Sequence, residues 1–148
     1  MAKYDVLDRS FFIELAKDVV PMFRQHTFVD GKDVKGKKFK KYSEAYGKAK
    51  RTGKMFRQDE NFAKRRSPVL TSDLLRDWTL RGTSKTGFSF GTLAYGGRVN
   101  HLAKLGRVIT SEENPVPKWI DKHIRAEANK YVQKRLNKIP DVKINIKK

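Results

Sequence analysis

Trp78-Thr79-Leu80-Arg81-Gly82-Thr83-Ser84-Lys85-Thr86-Gly87-Phe88-Ser89-Phe90-Gly91 is the stretch where apolar spacing switches from helical to strand-like. Trp78, Leu80 and Gly82 alternate with Thr79, Arg81 and Thr83, and beyond Ser84–Gly87, Phe88 and Phe90 alternate with Ser89 and Gly91. Two period-two runs around a short glycine-containing link predict a β-hairpin, with Gly87 available for a positive φ. Helical patterns flank it on both sides, so the fold class is α+β.

Upstream, Phe11, Phe12, Leu15, Val19, Met22 and Phe23 recur at three- and four-residue spacing and predict a helix over 8–26. Asp8 or Ser10 can cap it, and Pro21 should kink it or end it early. Thr71-Ser72-Asp73 predicts the start of a short helix over 71–77. Downstream, Leu93, Tyr95, Val99, Leu102 and Leu105 predict a helix over 92–105, loosened by Gly96-Gly97 and stopped by Gly106. Val108 and Ile109 add a short strand. Asn114-Pro115 opens a last long helix with Pro117 in its first turn, and Trp119, Ile120, Ile124, Ala128, Tyr131, Val132 and Leu136 form its stripe. Pro140 stops it. Val142, Ile144 and Ile146 then alternate with Lys143, Asn145 and Lys147, the pattern of a half-buried strand completing a sheet in its own subunit or in a neighbour. At 148 residues the chain reads as one domain, a small antiparallel sheet flanked by an N-terminal and a long C-terminal helix.

Residues 28–67 interrupt this plan. Between Lys35 and Arg66 there are 13 Lys and Arg against three carboxylates, which is +10 of the chain's formal +18. Phe39, Tyr42, Tyr46, Phe56 and Phe62 punctuate the run without a steady period, and Gly31, Gly36, Gly47 and Gly53 break it. The segment predicts a long basic arm with little structure beyond short helical turns around 42–51, mobile in the isolated chain. So basic a surface calls for an anionic partner, either nucleic acid or an acidic protein face. The chain has no cysteine, which excludes disulfides and thiolate metal sites. No apolar run near the N-terminus has the length of a signal peptide or membrane span, and the expectation is an intracellular protein with no membrane partner.

The chemistry-bearing residues do not assemble into a motif. His26, His101 and His123 lack metal-ligand spacing and are most simply surface or packed histidines. Glu112-Glu113 is most simply a solvated pair before a helix. Gly82-Thr83-Ser84-Lys85 lacks the spacing of a phosphate loop, Gly96-Gly97 lacks the frame of a dinucleotide fingerprint, and Ser72 and Ser84 lack a nucleophile elbow. No catalytic residue, metal or cofactor is expected. A small enzyme would need acids or imidazoles brought together only by the fold.

The order of short motifs is more specific. Gly36-Lys37-Lys38-Phe39-Lys40-Lys41-Tyr42-Ser43, followed by Lys48 and Lys50, resembles the G-K-x-[WF]-x-x-L-[ST] … K segment of phage virion-morphogenesis and tail-completion proteins. Leu70-Thr71-Ser72-Asp73-Leu74-Leu75-Arg76-Asp77 is similar to that family's L-x-x-T-G-x-L-R-x-S segment. Phe88-Ser89-Phe90-Gly91-Thr92, Ala94-Tyr95 and His101-Leu102-Ala103-Lys104-Leu105-Gly106 resemble its G-x-x-x-G-[TS] … Y-A … H-Q-x-G pattern. The chain departs from the pattern at Ser72, at Gly96-Gly97-Arg98 and at Lys118-Trp119-Ile120.

The resemblance implies a non-enzymatic subunit of a tailed-phage neck or tail end. Such subunits form rings, six-fold in preference to twelve-fold, beside portal-adaptor and tail-tube proteins. Made in the host cytoplasm, the protein would reside in the virion. On this reading Lys37, Lys38, Lys40, Lys41, Lys64, Arg65 and Arg66 contact acidic neighbours or, transiently, packaged DNA. Trp78, Phe88, Phe90, Trp119, Ile144 and Ile146 serve the core or the assembly contacts. A channel that passes DNA should not grip phosphate tightly, which favours basic residues facing protein or the ring's outside. The alternative is a basic nucleic-acid-binding module, which explains the charge equally well and the hairpin and C-terminal strand less well.

Overall fold

The computed structural model describes residues 7–52 and 73–138. Its helices are α1 (Arg9–Arg24), α2 (Glu44–Thr52), α3 (Asp73–Asp77), α4 (Gly96–Lys104) and α5 (Lys118–Leu136), and its strands are β1 (Thr79–Thr83) and β2 (Phe88–Gly91). The two strands pair antiparallel. The chain is therefore α+β, with a small sheet between an N-terminal helix and a long C-terminal one.

The stripe of α1 builds the core. Phe11, Phe12, Leu15, Val19 and Phe23 are buried together with Phe28, Phe39, Leu74, Trp78, Ile109 and Ile120. Asp8 is the N-cap and accepts the Phe11 N–H at 3.0 Å. Pro21 does not end the helix, which continues through it to Arg24. Pro21 and Lys17, whose carbonyl loses its N–H partner, are both exposed, so water can replace the missing bond. A π-helical turn, Gln25–Val29, follows, with the Asp30 N–H donating to the Gln25 carbonyl at 2.8 Å. That wider turn lets three consecutive side chains, His26, Thr27 and Phe28, all be buried.

Trp78 stacks on Phe23 at 5.2 Å between ring centroids and 13° between planes, and Phe90 meets the same Phe23 edge-on at 5.2 Å. The hairpin is thereby fixed to α1. Its alternation is interrupted: Leu80 pairs with Phe90, but Gly82 pairs with Ser89 and Thr83 with Phe88. Arg81 is the extra residue of a β-bulge, so Leu80 and Thr83 share the face of Phe88 and Phe90 despite lying three apart. The link also differs from expectation, because Gly87 is not among the positive-φ glycines. Ser84 closes it instead: its N–H donates to the Gly87 carbonyl at 2.8 Å and its hydroxyl accepts the Thr86 N–H at 3.1 Å.

Two polar clamps set element ends, and the first holds one that sequence spacing misplaces. The Asp77 carboxylate receives the N–H groups of Leu93 and Ala94 at 2.8 and 3.0 Å and the Arg81 guanidinium at 2.8 Å. Residues 92–95 are thus held as a loop, and α4 starts at Gly96 rather than Thr92. Partial burial pushes the Asp77 carboxyl up, but the Arg81 bond and the two backbone N–H groups outweigh it and the net shift is downward. Arg24 donates to the Leu75 carbonyl at 2.9 and 2.8 Å and so satisfies the open end of α3. Val108 and Ile109 form no strand, although Ile109 is buried. Pro117, extended at ψ 142°, precedes α5 as its N-cap instead of sitting in the first turn. Gly106 takes φ +74° just beyond α4, as a helix-ending glycine should.

α5 packs its Tyr131 on Phe11 at 4.7 Å and buries Ile120. The start of α1 and the end of α5 are tied through Asp8, which accepts from the Tyr131 hydroxyl at 3.0 Å and from Arg135. The 139–148 segment, including Ile144, Ile146 and the predicted strand, lies outside the described residues, as does 53–72.

Two predictions follow from this packing. Phe23→Ala should cost about 3–5 kcal/mol of unfolding free energy, read from denaturant melts. The Asp8 carboxyl is held down to about 2, foremost by the Ser10 hydroxyl, then by the Phe11 N–H, with Tyr131 and Arg135 adding to it. A carboxyl lower in the folded than in the unfolded chain stabilises above the ordinary Asp value of about 4, and that stabilisation fades as pH falls towards 2. Thermal midpoints should therefore drop more steeply between pH 4 and 2 in the wild type than in Asp8→Asn.

Candidate interaction surface

The described part of the predicted basic arm is a packed knuckle rather than a loose excursion. Val34 and Phe39 are buried in the core, which pins the chain on either side of the Gly36 turn. Lys32 and Lys38 face each other in an antiparallel bridge. Within the turn, the Asp33 N–H donates to the Lys37 carbonyl at 2.8 Å, and the Asp33 carboxylate receives the N–H groups of Lys35 and Lys37 at 2.9 and 2.8 Å. Gly36 takes φ +83°, a conformation that a side chain would disfavour. An Asp three residues before a Gly is the turn signal in the sequence that locates this knuckle.

Two buried polar side chains hold the knuckle to the body. His26 places Nε2 at 2.9 Å from the Asp33 carbonyl and Nδ1 at 3.2 Å from the Trp119 indole nitrogen. An indole N–H only donates, so Nδ1 accepts and the ring proton sits on Nε2, donated to Asp33. His26 is thus a packed histidine bridging the knuckle to α5. Arg107, also buried, donates to the Lys40 carbonyl at 2.8 Å and lies over the Tyr42 ring at 3.9 Å from its centroid. The Val34 N–H donates to the Val108 carbonyl at 3.1 Å. Neither Arg107 nor Trp119 is legible as a knuckle anchor from the sequence, because both lie more than sixty residues away along the chain.

On this mount Lys35, Lys37, Lys38, Lys40 and Lys41 are all exposed. Among the described residues none of them has an ion pair, whereas Lys32 reaches Asp30 at 3.6 Å. Tyr46 stands beside them, 37 % exposed, its ring tilted against Tyr42 at 4.7 Å between centroids. The arrangement presents five cations and an aromatic edge from a fixed backbone, the chemistry that meets carboxylates or phosphates. Of the other residues singled out from sequence, Trp78 is buried and Phe88 and Phe90 are half-buried against the core. Trp119 is not core: it is 46 % exposed, with its indole N–H donated to the buried His26. Lys64, Arg65 and Arg66 lie outside the described residues.

Among the described residues no three His, Asp or Glu side chains gather where a metal ion could be held. No helix among them is long and apolar enough to cross a membrane. No family model, curated protein or solved structure matches the chain.

Burial raises the Tyr42 phenol to about 12 against the opposing pull of Arg107. Spectrophotometric titration of wild type against Tyr42→Phe should therefore show the missing phenolate near pH 12, with the knuckle intact up to that point. A missing component near pH 10 would place Tyr42 in water and the knuckle off the body.

Proposed function

We propose that this chain is a structural, non-enzymatic subunit of a tailed-phage neck or tail end, joining head and tail as part of a ring. One observation carries the reading. In the motif that resembles virion-morphogenesis and tail-completion proteins, Gly36 is the turn and Phe39 the buried anchor of a knuckle that holds Lys37, Lys38, Lys40 and Lys41 exposed, with no ion pair among the described residues. A backbone already fixed loses little entropy when it meets a partner, so its cations can serve as a specific docking surface. Exposed Leu80, Leu93, Leu105, Trp119 and Leu136 add apolar surface suited to neighbours. The ring is a hexamer in preference to a dodecamer, and the knuckle meets acidic faces of portal-adaptor or tail-tube proteins, with passing DNA as a transient contact.

The exposed Tyr46 beside the lysines favours a second reading, a nucleic-acid-binding module in which the base stacks on the ring and lysines track the backbone.

Mass measurement of the purified chain, alone and with neck or tail components, separates the two. The first reading expects a ring-sized species and its loss in the charge-reversed Lys37→Glu/Lys38→Glu/Lys40→Glu/Lys41→Glu chain, with the fold retained by circular dichroism. A monomer under every condition, binding single-stranded DNA with log K falling against log salt at a slope of about −3 for four or five phosphates, would overturn it for the second.

A further inference from the structure

A slot of about 500 Å³ runs beside β2, and every residue from Phe88 to Thr92 lines it. Successive strand residues point to opposite faces, so a cavity that touches all of them follows the strand's edge and not one face. Val99 and Asn100 of α4 form the opposite wall. A strand edge facing a helix is the geometry that accepts an extended peptide by strand addition. β2 pairs only with β1 among the described residues, which leaves that edge open.

The slot also contains an unanswered donor. Trp78, 4 % exposed, lines it, and its buried Nε1 has no hydrogen-bond acceptor among the described residues. An indole N–H can only donate, and leaving it unmade inside the protein is costly, so a carbonyl brought alongside would satisfy it. Among the described residues no charged side chain lines the slot. Its occupant must therefore turn an apolar row inward and keep any charge outside.

We propose that the occupant is this chain's own segment Val142–Ile146, seated beside β2 as a third strand. Val142, Ile144 and Ile146 supply the inward row and Lys143 and Lys147 the outward one. The end of α5 is placed to deliver it. Arg135 is paired with Asp8, the adjacent Arg9 donates to the Thr83 hydroxyl at 3.1 Å, and Thr83 pairs with Phe88, the first residue of the slot. The link from Lys138 to Val142 can span up to about 13 Å, enough for a departure at that corner. A strand entering at Phe88 runs parallel to β2, a pairing that needs a crossover, and α5 provides one.

Amide exchange in the full chain, in a chain ending at Lys138 and in full-length Ile144→Asp tests this. Exchange over 88–92 and at the Trp78 indole should quicken about ten-fold or more in both variants, while α1 amides stay protected and full-chain protection does not change with protein concentration. If truncation loosens α1 as well, Ile144→Asp decides. Equal exchange over 88–92 in wild type and Ile144→Asp overturns the proposal. Protection that grows with concentration also overturns it, and assigns the slot to another copy's segment.

Discussion

The contact on which the rest of the molecule depends is the stack of Trp78 on Phe23. A two-stranded hairpin is marginal on its own in water and needs a partner face. Here that face is α1, and the stack, with Phe90 edge-on to Phe23 and Phe28 edge-on to Trp78 at 5.7 Å, is the point of attachment. The two rings lie 55 residues apart, so their contact closes the long basic segment into a loop. The same closure brings Arg24 under α3 and so fixes where the hairpin begins.

Around this centre the chain uses polar side chains as fasteners, two of them, His26 and Arg107, buried. His26 ties the knuckle to α5, Arg107 ties it to the segment before α5, Asp77 ties the hairpin to α4, and Asp8 ties α1 to the end of α5. Among the described residues eleven buried side chains form the core cluster, and directional bonds of this sort add specificity where burial alone would leave choices open. The physical consequence for function is that like charges are held together on purpose. Five lysines around one turn repel one another, and two buried anchors plus an internal carboxylate keep them there.

Helical elements were legible because they depend on local spacing. The stripe of α1, the cap at Asp8 and the helix stop at Gly106 follow from residues within a few positions of one another. The departures each trace to a distant partner. α4 begins late because Asp77, sixteen residues upstream of Leu93, claims the N–H groups of Leu93 and Ala94. The knuckle looked like a loose arm because its lysines dominate composition, while Val34 and Phe39, only two side chains, decide its burial. The bulge at Arg81 was invisible because pairing register belongs to two strands at once.

By itself the sequence determined the α+β class, the helix stripes, the hairpin and the concentration of positive charge, since periodicity and composition are properties of neighbours along the chain. Only the tertiary structure decided that the basic turn is packed onto the body, that Trp119 stays at the surface while lending its N–H to His26, and that among the described residues β2 pairs with β1 alone. Those outcomes rest on which far-apart side chains fill one core and which buried donors find acceptors, and no local pattern records that.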